Sequence, residues 1–237
     1  MDVHNISTHC KRTEFVGTAV LDTIGLVISG IDDTLLREMK IGTNYHALGL
    51  LSTRTGAAGQ ITAIDDAVKA TNTEVLSIDL PRDTKGWGGH GNYIVIGGTD
   101  VSDVRHAIER ALELTNKYAG ELYISQSGHL EFAFSANAGP ALSKAFGAPA
   151  GEAFGFMAGS PAAIGLVMAD TAMKASAVKI VRYMTPSIGT SHSNEVILAL
   201  SGDASAVKEA VLEARQIGLE LLIAMGTYPE IPGTPYL

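Results

Sequence analysis

Apolar and polar positions along this chain run through one sequence of elements and then run through it again. Between 22 and 30, Ile24, Leu26 and Ile28 alternate with small or polar neighbours, the period-two pattern of a half-buried strand, and a short helical stretch follows at 31–40. Leu48, Leu50 and Leu51 mark a second strand, and Ile61, Ile64 and Val68 recur at helical spacing across 58–71. A strand at 74–80, a loop at 82–91, a strand at 92–97 and a helix at 100–117 complete the set, with Asp100 and Ser102 as helix-start residues. The second half predicts the same order: strand 129–135, helix 138–146, strand 153–158, helix 162–176, strand 178–184, loop 186–194, strand 195–200 and helix 203–219.

Residue identities repeat with the pattern. HALGLLS at 46–52 returns as EAFGFMA at 152–158, offset 106, and DDAVKAT at 65–71 returns as DTAMKAS at 170–176, offset 105. TDVSDVRHA at 99–107 returns as GDASAVKEA at 202–210, offset 103, and DTIGLVIS at 22–29 aligns with GHLEFAFS at 128–135 at offset 106. In each copy a hydrophobic run ends in a proline, Pro81 or Pro186, before a polar loop. The chain therefore reads as two copies of one module of about 100 residues. The boundaries are a tail at 1–13, modules at 14–120 and 121–226, and a tail at 227–237. Four strands and two main helices per copy, with a sheet covered on one face, predict α+β modules. The last segment, TYPEIPGTPYL, has three prolines and cannot continue a helix; it is expected to run extended across a surface, that of a neighbouring subunit being one option.

Composition narrows the function. A net charge of −8 opposes nucleic-acid binding, which draws on clustered Lys and Arg. The single cysteine, Cys10, excludes an intrachain disulfide and a thiolate cluster. The opening residues lack the apolar core of a signal peptide and no run approaches the roughly 18 apolar residues of a membrane span, so a cytoplasmic location is expected. His4, His9 and Cys10 sit on a tail without a framework, and no metal or cofactor is expected. The glycines of GWGGHG at 86–91 lie between two strands and do not open a helix, which removes the amide cradle of a phosphate loop. Ser191, His192 and Ser193 have no spaced third partner, the carboxylates do not converge, and His46, His106 and His129 read as structural or surface residues. No enzyme is expected.

EAFGFMAGSPAAIGLVMADTAMKASAVKIVRYMTPSIGT followed by NEVILALSGDASAVKEAVLEARQIG resembles the bacterial microcompartment shell-protein domain. The likeness covers the element order, the Ala-Asp-x-x-x-Lys helix, the strand-Pro-Gly loop and the Gly-Asp-x-x-Ala-Val helix start. Each copy begins with the strand and short helix that ordinarily close that domain, which resembles the circularly permuted tandem branch, with its propanediol- and ethanol-utilisation members. The resemblance spans residues 14–237.

It implies a homotrimer whose six domains imitate a hexamer, tiling with other shell proteins around an enzyme core in the cytoplasm and passing small polar metabolites, a diol, alcohol or aldehyde, through pores. Arg82, Asp83, Thr84, His90, Asn92, Ser187, Thr190, Ser191, His192, Ser193, Asn194 and Glu195 would line those pores, offering donors and acceptors in place of water; ordinary turn chemistry is the plainer alternative. Lys69 and Lys174, four residues after Asp65 and Asp170, would lie along the tile edge, or else form i,i+4 pairs on a solvated face. The N-terminal tail around Cys10 would attach encapsulated enzymes, or else be a disordered terminus. The rival reading is a duplicated regulatory domain that binds a small molecule in its inter-domain cleft.

Overall fold

A computed structural model describes residues 13–82, 90–190, 192–226 and 228–237. The first module holds β1 (Thr13–Ala19), β2 (Thr23–Ser29), α1 (Asp33–Glu38), β3 (Ala47–Thr53), α2 (Ala58–Lys69), β4 (Glu74–Asp79), β5 (Asn92–Gly98) and α3 (Val101–Tyr118). The second holds β6 (Leu122–Ser125), β7 (Gly128–Ser135), α4 (Pro140–Phe146), β8 (Ala153–Ser160), α5 (Ala162–Ala175), β9 (Lys179–Met184), β10 (Val196–Gly202) and α6 (Ala204–Ala224). Each module is one antiparallel sheet, ordered β1-β2-β3-β5-β4 and β6-β7-β8-β10-β9. The sheets have five strands where the pattern suggested four, because β1 and β6 add hairpin partners to β2 and β7. β6 is only four residues long and β1 is broken by a register shift at Phe15/Gly17, so neither shows a sustained alternation.

Helix starts follow local chemistry. Asp100 caps α3 by accepting from Ser102 N, and Asp203 caps α6 by accepting from Ser205 N and Ala206 N. α6 runs past the expected end at 219 to Ala224, since Gly218 does not terminate it. A Cβ there would stand 2.8 Å from Met168 Sδ, so the glycine admits close packing of α5 on α6.

The strand pairing corrects one alignment. Gly25 pairs with Leu51, and the counterpart Met157 pairs with Phe132, so β2 maps onto β7 at offset 107 and not 106. A one-residue slip exchanges the two faces of a strand, and the corrected register makes Asp22 and Ile24 the counterparts of His129 and Glu131.

The largest core crosses from one module to the other. Ile61, Ile64, Ile94 and Ile108 of the first pack in one cluster with Leu142, Phe146, Phe154, Phe156 and Ile197 of the second, and Phe146 lies 5.5 Å and 5.1 Å from the Phe154 and Phe156 rings. α4 is the bridge, packed on α2 and β4. A separate cluster under α5 and α6 holds Leu130, Phe132, Met157 and Met168, and a small one under α1 holds Leu36, Leu48 and Val95.

The described part of the tail, 228–237, lies across its own chain. Tyr236 N and Leu237 N donate to Glu121 Oε1 at 2.7 Å and 2.9 Å, the Tyr236 ring meets Tyr118 edge-on at 5.1 Å, and Glu230 bridges to Ile124. Glu121 is fully buried and also takes Arg215 and Tyr123, so one carboxylate holds the final turn of the chain.

Candidate functional site

The junction between the modules concentrates the charged groups that sequence reading scattered. α2 begins at Ala57 without a capping side chain of its own, and Glu131 on β7 reaches across to accept from Ala57 N and Ala58 N at 3.0 Å and 2.8 Å. In return, Asp65 on α2 caps α4, which starts at Gly139 and likewise lacks a cap of its own. Its carboxylate accepts from Gly139 N at 2.9 Å, Ala141 N at 2.9 Å and Leu142 N at 3.1 Å. A Cβ at 139 would run into Lys69 Cε and stand 2.9 Å from both Asp65 oxygens, so a larger residue there would displace that pair. Asp65 is fully buried, so it does not belong to a solvated helix face. Lys69 lies 2.7 Å from Asp65 and 3.2 Å from Asp66, and donates to Asn137 O at 2.5 Å, reaching into the second module. Asp170 and Lys174 do sit on a solvated face: they pair at 2.6 Å and the lysine side chain is 74% exposed, against 29% for Lys69.

A second cross-module contact lies beside the first. Glu195, just ahead of β10, is buried with one oxygen 2.5 Å from His90 Nδ1 and the other 3.1 Å from His129 Nε2. Burial opposes its charge, yet the hydrogen bonds and positive field of His129 and His90 outweigh that and hold its carboxyl down at about 2. Glu131 goes the other way: enclosure of its carboxyl pushes it up, against the two α2 amides that favour the charged form. The space among Ala57, Leu80, His90, His129, Glu131, Phe146, Phe156 and Glu195 is about 10 Å³, enough for a single water and too small for a metabolite. A wider, open hollow of about 320 Å³ lies elsewhere on the junction, between Asp66, Lys69, Lys117 and Tyr118 on one side and Phe134, Asn137 and Tyr236 on the other. Among the described residues, no group of three His, Cys, Asp or Glu side chains is arranged to hold a metal ion.

The residues expected to line pores divide. Arg82, Ser187, His192 and Asn194 are exposed. His90, Asn92, Thr190, Ser193 and Glu195 are buried within the chain, which takes them off its surface. Asn92 Nδ2 donates to Gly56 O at 3.1 Å, tying the start of β5 to the turn between β3 and α2, and Thr190 Oγ1 lies within hydrogen-bond reach of Thr185 O and Ser193 O, closing its own loop. Asn194 accepts from Ala162 N at 3.1 Å and so serves the start of α5. Asp83, Thr84 and Ser191 lie outside the described residues, as does the N-terminal tail to Arg12 with His4, His9 and Cys10.

The second module repeats the outward face of the first with opposite exposure. Ile61 and Val68 on α2 are buried, whereas their counterparts Leu166 and Met173 on α5 are 53% and 36% exposed. Val75 and Ile78 on β4 pack against the shared core, while their counterparts Ile180 and Tyr183 on β9 are 54% and 42% exposed. Asp65 and Lys69 recur as Asp170 and Lys174, but the other charged groups of the junction do not recur. Strand pairing makes Asn194 and Gly91 the counterparts of His90 and Glu195, as Asp22 and Ile24 are of His129 and Glu131. α1 takes its cap from within, Asp32 accepting from Thr34 N at 2.9 Å and Leu35 N at 3.2 Å.

Of these features, the paired Asp65 and Lys69 were legible from sequence, but the burial of Asp65 and the partnership of Glu131, His90 and His129 were not. Gly139 was the available signal, a glycine before Pro140 at a helix start with no Ser, Thr, Asp or Asn to cap it.

Known proteins share both sequence and geometry. The BMC domain matches twice, over residues 47–127 and 153–230. The bacterial microcompartment shell protein PduB of Citrobacter freundii is 51% identical over 228 residues, covering 96% of this chain and 84% of that protein. A crystal structure of a trimeric bacterial microcompartment shell protein PduB superposes with a TM-score of 0.91 at 45% identity, covering 94% of this chain and 99% of that one. EtuB from Clostridium kluyveri superposes equally well, with a TM-score of 0.91, 46% identity and coverage of 94% and 98%.

Proposed function

This chain belongs to the bacterial microcompartment (BMC) shell-protein family, and we propose that three copies close into a pseudohexameric tile that packs edge to edge into the shell and does no catalysis of its own. The observation that carries the trimer is the apolar face of α5 and β9. Its counterpart on α2 and β4 is covered by α4 of the same chain; the exposed face has no such cover among the described residues and fits the α1 side of another copy's first module, where Leu35 and Ile24 are exposed. Repeating that contact uses the same pair of faces at each step, which is how a ring closes. The trimeric PduB structure supports the number three. Its molecular setting is the shell of a compartment, and no helix of the described residues is long and apolar enough to cross a membrane.

Small polar metabolites such as a diol, alcohol or aldehyde would pass where the exposed Arg82, Ser187 and His192 border the two loops. Other shell proteins are the partners along the edges, and encapsulated enzymes the partners of residues 1–13. The test is solution mass followed by electron microscopy of the same sample. Wild type should weigh three times the 24.8 kDa chain and extend into hexagonal layers, and the double variant Leu166→Glu/Ile180→Glu should remain a single chain. A monomeric wild type at micromolar concentration would sink the closure; a variant that still trimerises would remove the α5/β9 face from it.

A further inference from the structure

We infer that Lys174 of one copy pairs with Asp32 of the partner subunit, where the second module of one chain meets the first module of the next. The inference rests on the ring closure proposed above and names the ion pair that sets its register.

The chain carries a template for that step in its own junction, because α2 meets α4 within one chain as α5 would meet α1 between two. α4 and α1 start 107 residues apart, so the cap positions Gly139 and Asp32 are counterparts. Ala141 and Leu142, buried at the tethered junction, answer to the exposed Thr34 and Leu35. In the template, Lys69 has two carboxylates on its own helix, Asp65 at 2.7 Å and Asp66 at 3.2 Å, and faces a glycine across the junction. A Cβ at 139 would stand 2.3 Å from Lys69 Cε, so this position aims at the lysine. Across the duplication both features change together. Thr171 stands in place of Asp66, which leaves Lys174 with Asp170 on its own helix, and Asp32 stands in place of Gly139. The carboxylate lost from one side of the contact reappears on the other.

The two junctions cannot be identical, because the amides that Asp65 caps on α4 correspond to amides that Asp32 already serves on α1, Thr34 N and Leu35 N. Asp170 therefore arrives beside a second carboxylate, and the ammonium of Lys174 is the charge that lets the two approach. Both cap bonds of Asp32 use Oδ1, so accepting from Lys174 through Oδ2 leaves the cap intact. Gly30 stands exposed where Asn137 does, which sets its carbonyl beside the same ammonium.

Lys69 keeps 29% of its side chain exposed at the template junction, so the pair between copies stays partly in water and is worth about two- to fivefold in an equilibrium constant. A ring holds three such pairs. The readout is the concentration at which wild type, Asp32→Asn, Lys174→Gln and the double variant half-dissociate in analytical ultracentrifugation at low ionic strength; asparagine keeps the cap, and both positions are exposed in the single chain. We expect each single variant to raise that concentration by about three- to tenfold, which leaves the mass unchanged well above it, and the double variant to go no higher than the worse single one. Where the ring is too tight to dilute apart, Lys174→Glu sets like charges in contact and should break it, and Asp32→Lys in the same chain should restore it. Single variants that half-dissociate with wild type, effects that multiply in the double variant, or a Lys174→Glu chain that Asp32→Lys does not rescue overturn the pair and leave the ring standing. A wild type that stays a single chain at every concentration removes the ring, and the pair with it.

Discussion

α4 and α1 occupy equivalent places in the two modules, yet their first turns are satisfied by different means. α4 receives its carboxylate from Asp65 in the other module, whereas α1 carries Asp32 in its own N-cap position. The starts of the long helices differ in the same sense, Glu131 crossing the junction to α2 while Asn194 serves α5 from within. The difference follows from tethering. Within one chain the partner module is present at high effective concentration, so a helix end or a charge can be left for the neighbour to satisfy. A face that waits in water for a separate molecule must already be satisfied before it docks. The outward face of the second module accordingly presents apolar side chains on α5 and β9, with the start of α5 served by Asn194 of the same module and without the buried ionic contacts of the tethered junction.

Asp65→Ala is the strongest way to break that comparison. It strips a charge-assisted acceptor from three buried amides and leaves Lys69 facing Asn137 O without its closest counter-charge, for a loss of about 3–5 kcal/mol in urea denaturation. Asp32→Ala removes an exposed cap and should cost about 1 kcal/mol. If the two variants unfold at the same urea concentration, the tethered junction has no special dependence on its cross-module cap.

Acid titration sharpens the comparison next. Glu195 is held at about 2 in the folded chain, below the ordinary 4.5. A depressed carboxyl stabilises the fold fully above its unfolded value and loses that contribution as pH falls through the folded one, so the loss should fall between about pH 4.5 and 2 and amount to roughly 3 kcal/mol. Glu131 has the opposite sign. Its raised carboxyl favours the fold most at low pH, and the benefit fades as pH rises through its folded value, so Glu131→Gln should unfold at higher temperature than wild type at pH 7. Melting curves for Glu195→Gln and Glu131→Gln across pH 2–7 test both signs; an acid limb unchanged in Glu195→Gln would take that carboxylate out of the junction's stability.

The strand and helix order was legible because apolar spacing and capping residues are local properties, and the duplication made each half a check on the other. Legibility failed where a property depends on what lies across the junction. Asp65 and Asp170 look alike in DDAVK and DTAMK, and only the position of α4 makes the first a buried cap and the second a surface ion. Glu131 was invisible for the same reason, and the one-residue register difference between β2 and β7 concealed that it replaces Ile24. The polar loop residues were read as exposed because Ser, Thr and Asn are turn formers, yet Thr190 and Ser193 spend their hydrogen bonds inside the turn they build.

Lys174→Ala has the smallest expected effect on stability, which makes it the cleanest probe of the edge. Its ammonium is mostly exposed and pairs with an exposed Asp170 on the same helix, an arrangement worth less than about 0.5 kcal/mol, so the urea midpoint of the isolated chain should scarcely move. Lys69→Ala is not comparable, since that ammonium is bound to Asp65, Asp66 and the Asn137 carbonyl, and any loss of layers there could follow from a loosened junction. If Lys174 lies along the edge of the tile, Lys174→Ala will keep the melting behaviour and solution mass of wild type and lose the hexagonal layers seen by electron microscopy. Layers that persist with unaltered spacing would remove the second module's lysine from the edge and leave the assembly contact to other residues of α5.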